Sequence, residues 1–243
     1  MKAMVLAAGF GKRLRPLTLE RPKPLVEVNG RTLLDRTYDH LRRGGVKACV
    51  TNIHYLGEQI VAHAAGRDDL NIQISDERGE ILETAGGIIR ALPDLGEAPF
   101  VSVNADTFWV EEPDATPVIG RMRDAFDPQS MDMLLLVVRQ ERATGHSGST
   151  DFVFTDGTGL ARAIGGEPGY IYAGVVIMHP RIFADAEAVP HSLNVYFDRT
   201  IAAGRLHGMV LDDGHWYTVS TPQSLVDVEA HLRTHGDMDI VAA

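Results

Sequence analysis

From residue 4 to residue 106 the chain alternates short apolar runs with segments of helical spacing, and that alternation restricts the fold more than any other feature. Residues 4–8 are apolar and close on Gly9, which suits a buried strand. Residues 32–43 put Leu33, Leu34, Thr37 and Leu41 on one face and stop at Gly44 and Gly45, a helix followed by its terminator. Residues 46–53 return to strand, 56–65 to helix, and 72–75 to a weaker strand. "TAGGIIRAL" has the spacing of a short helix despite its glycines, and "PFVSVNAD" is a strand ending on polar residues. Strands separated by helices do not pair as hairpins. They pair in parallel, with helices over both faces.

Beyond residue 130 the pattern changes. Residues 131–139, 151–154 and 170–178 are strand-like with turn signals between them, and 193–203 and 222–235 read as helices. No Pro/Ser-rich linker, repeat or low-complexity segment separates the halves, so residues 1–243 are expected to form a single domain. The expected fold is α/β, with a mixed, mainly parallel central sheet, helices on both faces, and the second half extending the same sheet.

The formal net charge of -10 argues against bulk nucleic-acid binding. "MVLAAG" is too short for a signal peptide or a membrane span, so no membrane partner is expected. Cys49, the single cysteine, sits in "KACVTNI". It suits core packing better than nucleophilic chemistry, and a reducing cytoplasm fits a lone thiol.

Against this acidity one loop stands out. Lys12, Arg13, Arg15, Arg21 and Lys23 face a single Glu20, and two of the chain's four lysines lie here. Gly9 and Gly11 lack Cβ atoms, so backbone N–H groups can approach phosphate oxygens. The dinucleotide fingerprint fails at Leu14, and the P-loop fails because Lys12 is followed by Arg13. What remains is G-x-G-x-R, then Pro22-Lys23-Pro24 ten residues after the arginine. Arg13 can fork two phosphate oxygens, and Lys23 adds a compact charge on a segment stiffened by prolines. This suits a triphosphate with a reacting phosphorus. The alternative is a solvated basic loop around a turn glycine. Either way the loop is expected to be exposed.

"LAAGFGKRLRPLT" and "PKPLVEVNGRTLLD" resemble the signature of the sugar-1-phosphate nucleotidyltransferases. The resemblance continues through "TNIHYLGEQI", "LETAGGI", "VNAD", "YAGVVIMHP" and "HWYTVSTP", and so covers nearly the whole chain. "LETAGGI" is most similar to the branch that uridylylates N-acetylmuramate 1-phosphate in peptidoglycan recycling. The resemblance implies a nucleotide site made by Ala8, Gly9, Gly11, Lys12, Arg13, Lys23, Asn52, Glu83, Gly86 and Asn104. It implies that Asp106 holds magnesium and acts with Arg13 and Lys23 in catalysis, while Asp151, Glu167 and Gly174 face the sugar phosphate. UTP and a sugar 1-phosphate are the implied substrates. Guanylyl transfer to mannose 1-phosphate and a non-catalytic nucleotide-sugar-binding regulatory module are the alternatives.

Read by themselves, several of these residues have plainer roles. Asp106 would serve as an N-cap, Asn52 as part of a turn, Glu167 as an exposed turn acid and Gly174 as a strand glycine. The chain also departs from the family pattern. Ala105 replaces a glycine, Thr150 precedes Asp151, and Thr218 and Ser220 stand where the family has its second metal-binding aspartate and a glycine. Asp212 and Asp213 read as a turn. Asp227, His231 and His235, at i, i+4 spacing, read as a solvated helix face in preference to a transition-metal site.

Overall fold

In the computed structural model, which describes residues 1–112 and 114–237, the first apolar run is the middle of the sheet. β1 (Ala3–Leu6) pairs in parallel with β4 (Ala48–Ile53) on one side and β6 (Phe100–Asn104) on the other, and β5 (Asn71–Asp76) extends the sheet beyond β4. A small hairpin of β2 (Glu27–Val28) and β3 (Arg31–Thr32) leads into α1 (Leu33–Arg43), whose N-cap Thr32 accepts the Asp35 amide at 3.0 Å. α2 (Gly57–Ala64) and α3 (Glu83–Leu95) make the next two crossovers.

Side-chain alternation along β1 explains why helices cover both faces. Ala3 and Val5 pack with Leu34, Tyr38 and Leu41 of α1 and Ile60 of α2. Met4 points the other way, into a cluster with Ala85 and Ile88 of α3. The mixed sheet expected from the sequence is present. Cys49 lies in the first of these clusters, 1% exposed, and burial pushes its thiol up to about 12. It is a packing residue.

The second half reverses direction. β12 (Tyr170–Met178) runs antiparallel to β6 and to β8 (Met133–Arg139), and β13 (Leu206–Val210) returns parallel to β8. β10 (Phe152–Phe154) and β11 (Leu160–Arg162) finish that edge, with α4 (Val118–Ala125) and α5 (Asn194–Ala202) packing on opposite faces. One expectation needs correcting: the second half does not all extend the same sheet. β7 (Thr107–Glu111), β9 (Ala143–Thr144) and β14 (Gly214–Thr218) form a separate three-stranded sheet. The reason lies in β7, which buries both faces, with Trp109 in the cluster under α1 and Phe108 stacked on Tyr217. Those contacts, with the ladder to β14, carry β7 out of the main sheet.

α6 (Pro222–His235) closes the chain with a capping box between Thr221 and Ser224. Beyond it, Asp237 accepts a fork from the fully buried Arg36, at 2.9 Å and 2.6 Å, and Arg36 also donates to the Val28 carbonyl at 2.9 Å. On α6, His231 stacks on His235 with ring centres 4.0 Å apart and on His215 of β14 at 4.2 Å. Stacked rings direct their in-plane nitrogens apart, and among the described residues no group of three or more His, Cys, Asp or Glu could hold a metal ion. Nor is any described helix long and apolar enough to cross a membrane.

Candidate active site

The strands β1, β4 and β6 end together, and beyond their carboxyl ends lies a cleft of roughly 410 Å³. One wall is the backbone of residues 6–9. The Lys23-Pro24 segment faces it, and the turn after β6 forms the floor with Asn104, Ala105 and Asp106.

Two prolines hold Lys23 at the start of a short 3-10 turn (Lys23–Leu25) and aim its side chain inward. Its ammonium lies 2.5 Å from Asp106 Oδ2, with only 12% of the lysine side chain exposed. The expectation of a fully exposed loop fails here, because the glycine loop packs over Lys23. Gly11 has φ +61°, and a β-carbon on it would lie 2.9 Å from Lys23 Cβ and 3.0 Å from Thr18 Cγ2. Thr18 in turn donates its hydroxyl to the Gly11 carbonyl at 2.8 Å. A glycine is required at this position twice over, by conformation and by space.

The loop's outer part is pinned by aromatic contacts. Phe10 meets the His54 ring edge-on, with centres 5.2 Å apart, and Tyr55 at 5.6 Å. The Tyr55 hydroxyl donates to the Thr18 carbonyl at 2.9 Å. Lys12 Nζ sits 5.0 Å over the Phe10 ring, while Arg13 is exposed on the 3-10 turn Lys12–Leu14 that follows. Gly9 and Ala8 line the cleft; Gly11, Lys12 and Arg13 follow in the same loop but are not among the lining residues.

Asn52 also borders the cleft, but its amide is committed to the protein. Its Oδ1 accepts the Ala7 N–H at 2.7 Å and its Nδ2 donates to Glu77 Oε1 at 2.7 Å. Glu83 lines the cleft beside Thr84 and has φ +58°, a strained start for α3. Gly86 does not line it. A β-carbon there would lie 2.3 Å from the Val189 carbonyl oxygen, so its close backbone approach is to the segment before α5. That segment docks on α3 through Ala85 N–H to the His191 carbonyl (3.0 Å) and Leu193 N–H to Thr84 Oγ1 (2.8 Å), which brings Ser192 into the cleft wall.

The residues expected on the sugar side separate. Gly174, at φ +78° where the register of β12 shifts, lies against Asn104, whose Nδ2 would be 3.1 Å from a β-carbon. Asp151 accepts the Tyr172 amide at 2.8 Å and ties β10 to β12. Burial holds the Tyr172 phenol protonated, and the Asp151 charge adds to that. Glu167 is exposed and borders a different groove, with Thr150 and Arg139. The structure therefore does not bring Asp151 or Glu167 into the cleft. Thr218 is buried and pairs across β14 with Thr107, while Val219 N–H donates to the Asp106 carbonyl at 3.2 Å. Directly opposed residues share a face of the sheet, so position 218 lies beside the turn that carries Asp106.

Sequence reasoning missed Glu77 and Ser192. Glu77 sits in "SDERGE", which has the composition of a solvated turn, yet it is 1% exposed. Ser192 comes from a segment about a hundred residues away in the chain from the other cleft residues of α3. Neither carries a local signal.

The sequence signature of the family described as nucleotidyl transferase matches residues 2–146. An N-acetylmuramate alpha-1-phosphate uridylyltransferase of Caulobacter vibrioides is 40% identical over 235 residues, covering 95% of this chain and 96% of that protein. A protein of the same name from Neisseria meningitidis is 36% identical over 191 residues, 77% of this chain and 79% of its own. Among solved structures, the inositol-1-phosphate CTP transferase from T. maritima superposes with a TM-score of 0.74 over 100% of this chain and 98% of that one. At 18% identity this is a likeness of fold.

Proposed function

The chain belongs to the nucleotidyl transferase family, and from that premise we propose that it transfers a uridylyl group from UTP to N-acetylmuramate 1-phosphate. The observation that carries the reading is the Lys23–Asp106 pair inside the cleft, under a glycine loop whose backbone is open on the same side. Single-domain action is part of the proposal; one hydrophobic cluster joins Val5 of β1 to Ile177 of β12 and Trp216 of β14. The cytoplasm is the proposed setting, where UTP and a reduced Cys49 coexist.

A phosphate oxygen of the sugar phosphate attacks the α-phosphorus of UTP in line. A new P–O bond forms there as the bond from the α-phosphorus to its bridging oxygen breaks, and pyrophosphate leaves with that electron pair. The attacking phosphate is already ionised, so no general base is needed, and the protein's work is positioning and charge neutralisation. The backbone N–H groups around Gly9 and Gly11, with Lys12 and Arg13 of the same exposed loop, hold the leaving phosphates. Lys23 neutralises charge shared between the α-phosphate and the incoming phosphate. Glu83, Thr84, Ser192 and Asn104 border the nucleotide, and Gly174, packed against Asn104, the sugar end.

Asp106 offers one carboxylate, which together with phosphate oxygens and water fits magnesium, a hard ion that commonly takes only one or two protein carboxylates. Bound there, it would supply further charge neutralisation on the phosphates. The neutral Thr218 favours a second reading, a regulatory module that binds nucleotide sugar without turnover. Pyrophosphate release across a panel of nucleoside triphosphates crossed with a panel of sugar 1-phosphates separates the two. With N-acetylmuramate 1-phosphate, kcat/KM for UTP should exceed that for GTP by on the order of tenfold or more. A preference for GTP would overturn the uridylyl assignment.

Replacing Thr218→Asp should lower the magnesium concentration giving half-maximal rate, because a second carboxylate beside Asp106 adds a strong oxygen ligand. The measurement is a magnesium titration of both forms at saturating substrates. Overlaid curves would show that position 218 does not face the metal. Turnover in the variant alone would favour the regulatory reading of the natural chain.

A further inference from the structure

We infer that Glu77 is a positioning residue that fixes the phosphate loop: its buried carboxylate orients the Asn52 amide, and Asn52 in turn sets the Ala7 backbone at the mouth of the cleft. The inference deepens the nucleotidyl-transfer reading and rests on it for the consequence to nucleotide binding.

Each donor in the network has a defined acceptor. Glu77 Oε1 accepts from Asn52 Nδ2 at 2.7 Å, and Oε2 accepts the Leu82 N–H at 3.2 Å, where α3 begins. With its NH₂ engaged by the carboxylate, Asn52 can present only its oxygen to Ala7, and that oxygen accepts the Ala7 N–H at 2.7 Å. A flipped amide would set N–H against N–H. Glu77 also has a second route to the same loop. Its carbonyl accepts from His54 Nδ1 at 2.7 Å, and the His54 ring meets Phe10 edge-on. One residue at the end of β5 thus touches the glycine loop through Ala7 and through Phe10, and the start of α3 through Leu82.

The network also explains a glycine that the nucleotide site does not. Gly87 in "LETAGGI" lies over these groups, and a β-carbon there would be 2.6 Å from Glu77 Oε1 and 2.8 Å from Asn52 Nδ2. The second glycine of that segment makes room for the carboxylate. Burial raises the Glu77 carboxyl from its ordinary value, opposed by the bonds from Asn52 and Leu82 and by the charges of Arg90 and His54. A buried carboxylate held by Asn52 and Leu82 and outside the cleft lining is not built to touch substrate.

The hydrogen-bond polarity gives a decisive test. Glu77→Gln presents an NH₂ to either Leu82 N–H or Asn52 NH₂, a donor against a donor, and Asn52→Asp sets two carboxylates together. In the double variant Asn52→Asp/Glu77→Gln every bond returns with the central one reversed. The glutamine at 77 donates from its Nε2 to one oxygen of the aspartate at 52, and its Oε1 accepts the Leu82 N–H. The second oxygen of that aspartate accepts the Ala7 N–H. The four proteins are compared by amide hydrogen exchange over residues 7–12 and by kcat and KM for UTP. Each single variant should exchange faster in that loop and raise KM by roughly tenfold or more, with a smaller change in kcat. The double variant should recover both.

Unchanged loop exchange in the single variants overturns the inference. So does a double variant no better than the worse single one, or a lowered melting midpoint with KM untouched. Absence of uridylyl turnover in the natural chain would instead sink the proposed reaction, while the exchange pattern still decides the Glu77 network.

Discussion

Lys23→Ala should lower kcat by about 100-fold or more, since it removes the cation that the proposed reaction sets against the reacting phosphates. The side chain projects from a turn fixed by Pro22 and Pro24 and meets Asp106 at 2.5 Å, so its position is set before substrate arrives. Preorganised charge of this kind acts mainly on the transition state, which makes kcat the parameter to watch and KM for UTP the control. Lys23→Arg should not restore the rate. A guanidinium is longer and planar, so it cannot set its charge where the compact ammonium meets Asp106. The fold should persist, because the lysine's partner Asp106 keeps 35% of its side chain exposed to water. Turnover near that of the natural chain would remove Lys23 from the mechanism.

Asp237→Ala should destabilise the protein by about 3 kcal/mol or more, on the order of 10 °C in melting midpoint for a chain of this size. The fork from Arg36 to Asp237 is shut away from solvent, with the arginine side chain 0% and the aspartate 7% exposed. Removing the carboxylate takes from a buried guanidinium the anion it forks, 4.5 Å from the Phe108 ring. The apolar replacement Arg36→Met/Asp237→Leu should recover much of the loss, because a buried pair contributes less than its removal one partner at a time suggests. Thermal unfolding of the three proteins decides this. A shift under roughly 2 °C in Asp237→Ala would show that the contact after α6 is not holding the fold.

The parallel half of the sheet was legible because buried strands flanked by helices leave plain apolar runs with glycine stops. Residues 32–43 and 222–235 gave the bounds of α1 and α6 almost to the residue. β7 and β14 were not read as strands of their own sheet. Each is five residues long with aromatics on both faces, so neither shows the alternation of a half-buried strand. In the site, Gly9, Gly11 and Lys23 were readable because a phosphate loop is a local pattern in the chain. Asp106 was readable as a polar residue at a strand end. What holds them was not: Ser192 reaches the cleft, and Glu77 reaches Asn52 behind it, through tertiary contacts between distant segments, and a buried glutamate in a charged run looks like a surface one. Asp151 is the reverse case, a residue read from a motif that the fold sets outside the cleft. Its position in a motif suggested a ligand, while its carboxylate serves the backbone of β12.

The interlocking of Gly11 with Lys23 and Thr18 bears on how the cleft could be altered in the laboratory or by drift. Side chains in direct contact do not respond to substitution independently. Position 11 cannot gain a carbon without moving the stem of the lysine or the Thr18 side chain, whose hydroxyl holds the Gly11 carbonyl. The three residues form one mutational unit, so a library that varies them singly samples only damaged proteins. Re-engineering the proposed pyrophosphate end for another leaving group calls for simultaneous randomisation of Gly11, Thr18 and Lys23, whereas Glu83 and Ser192, at the proposed nucleoside end, remain open to stepwise change.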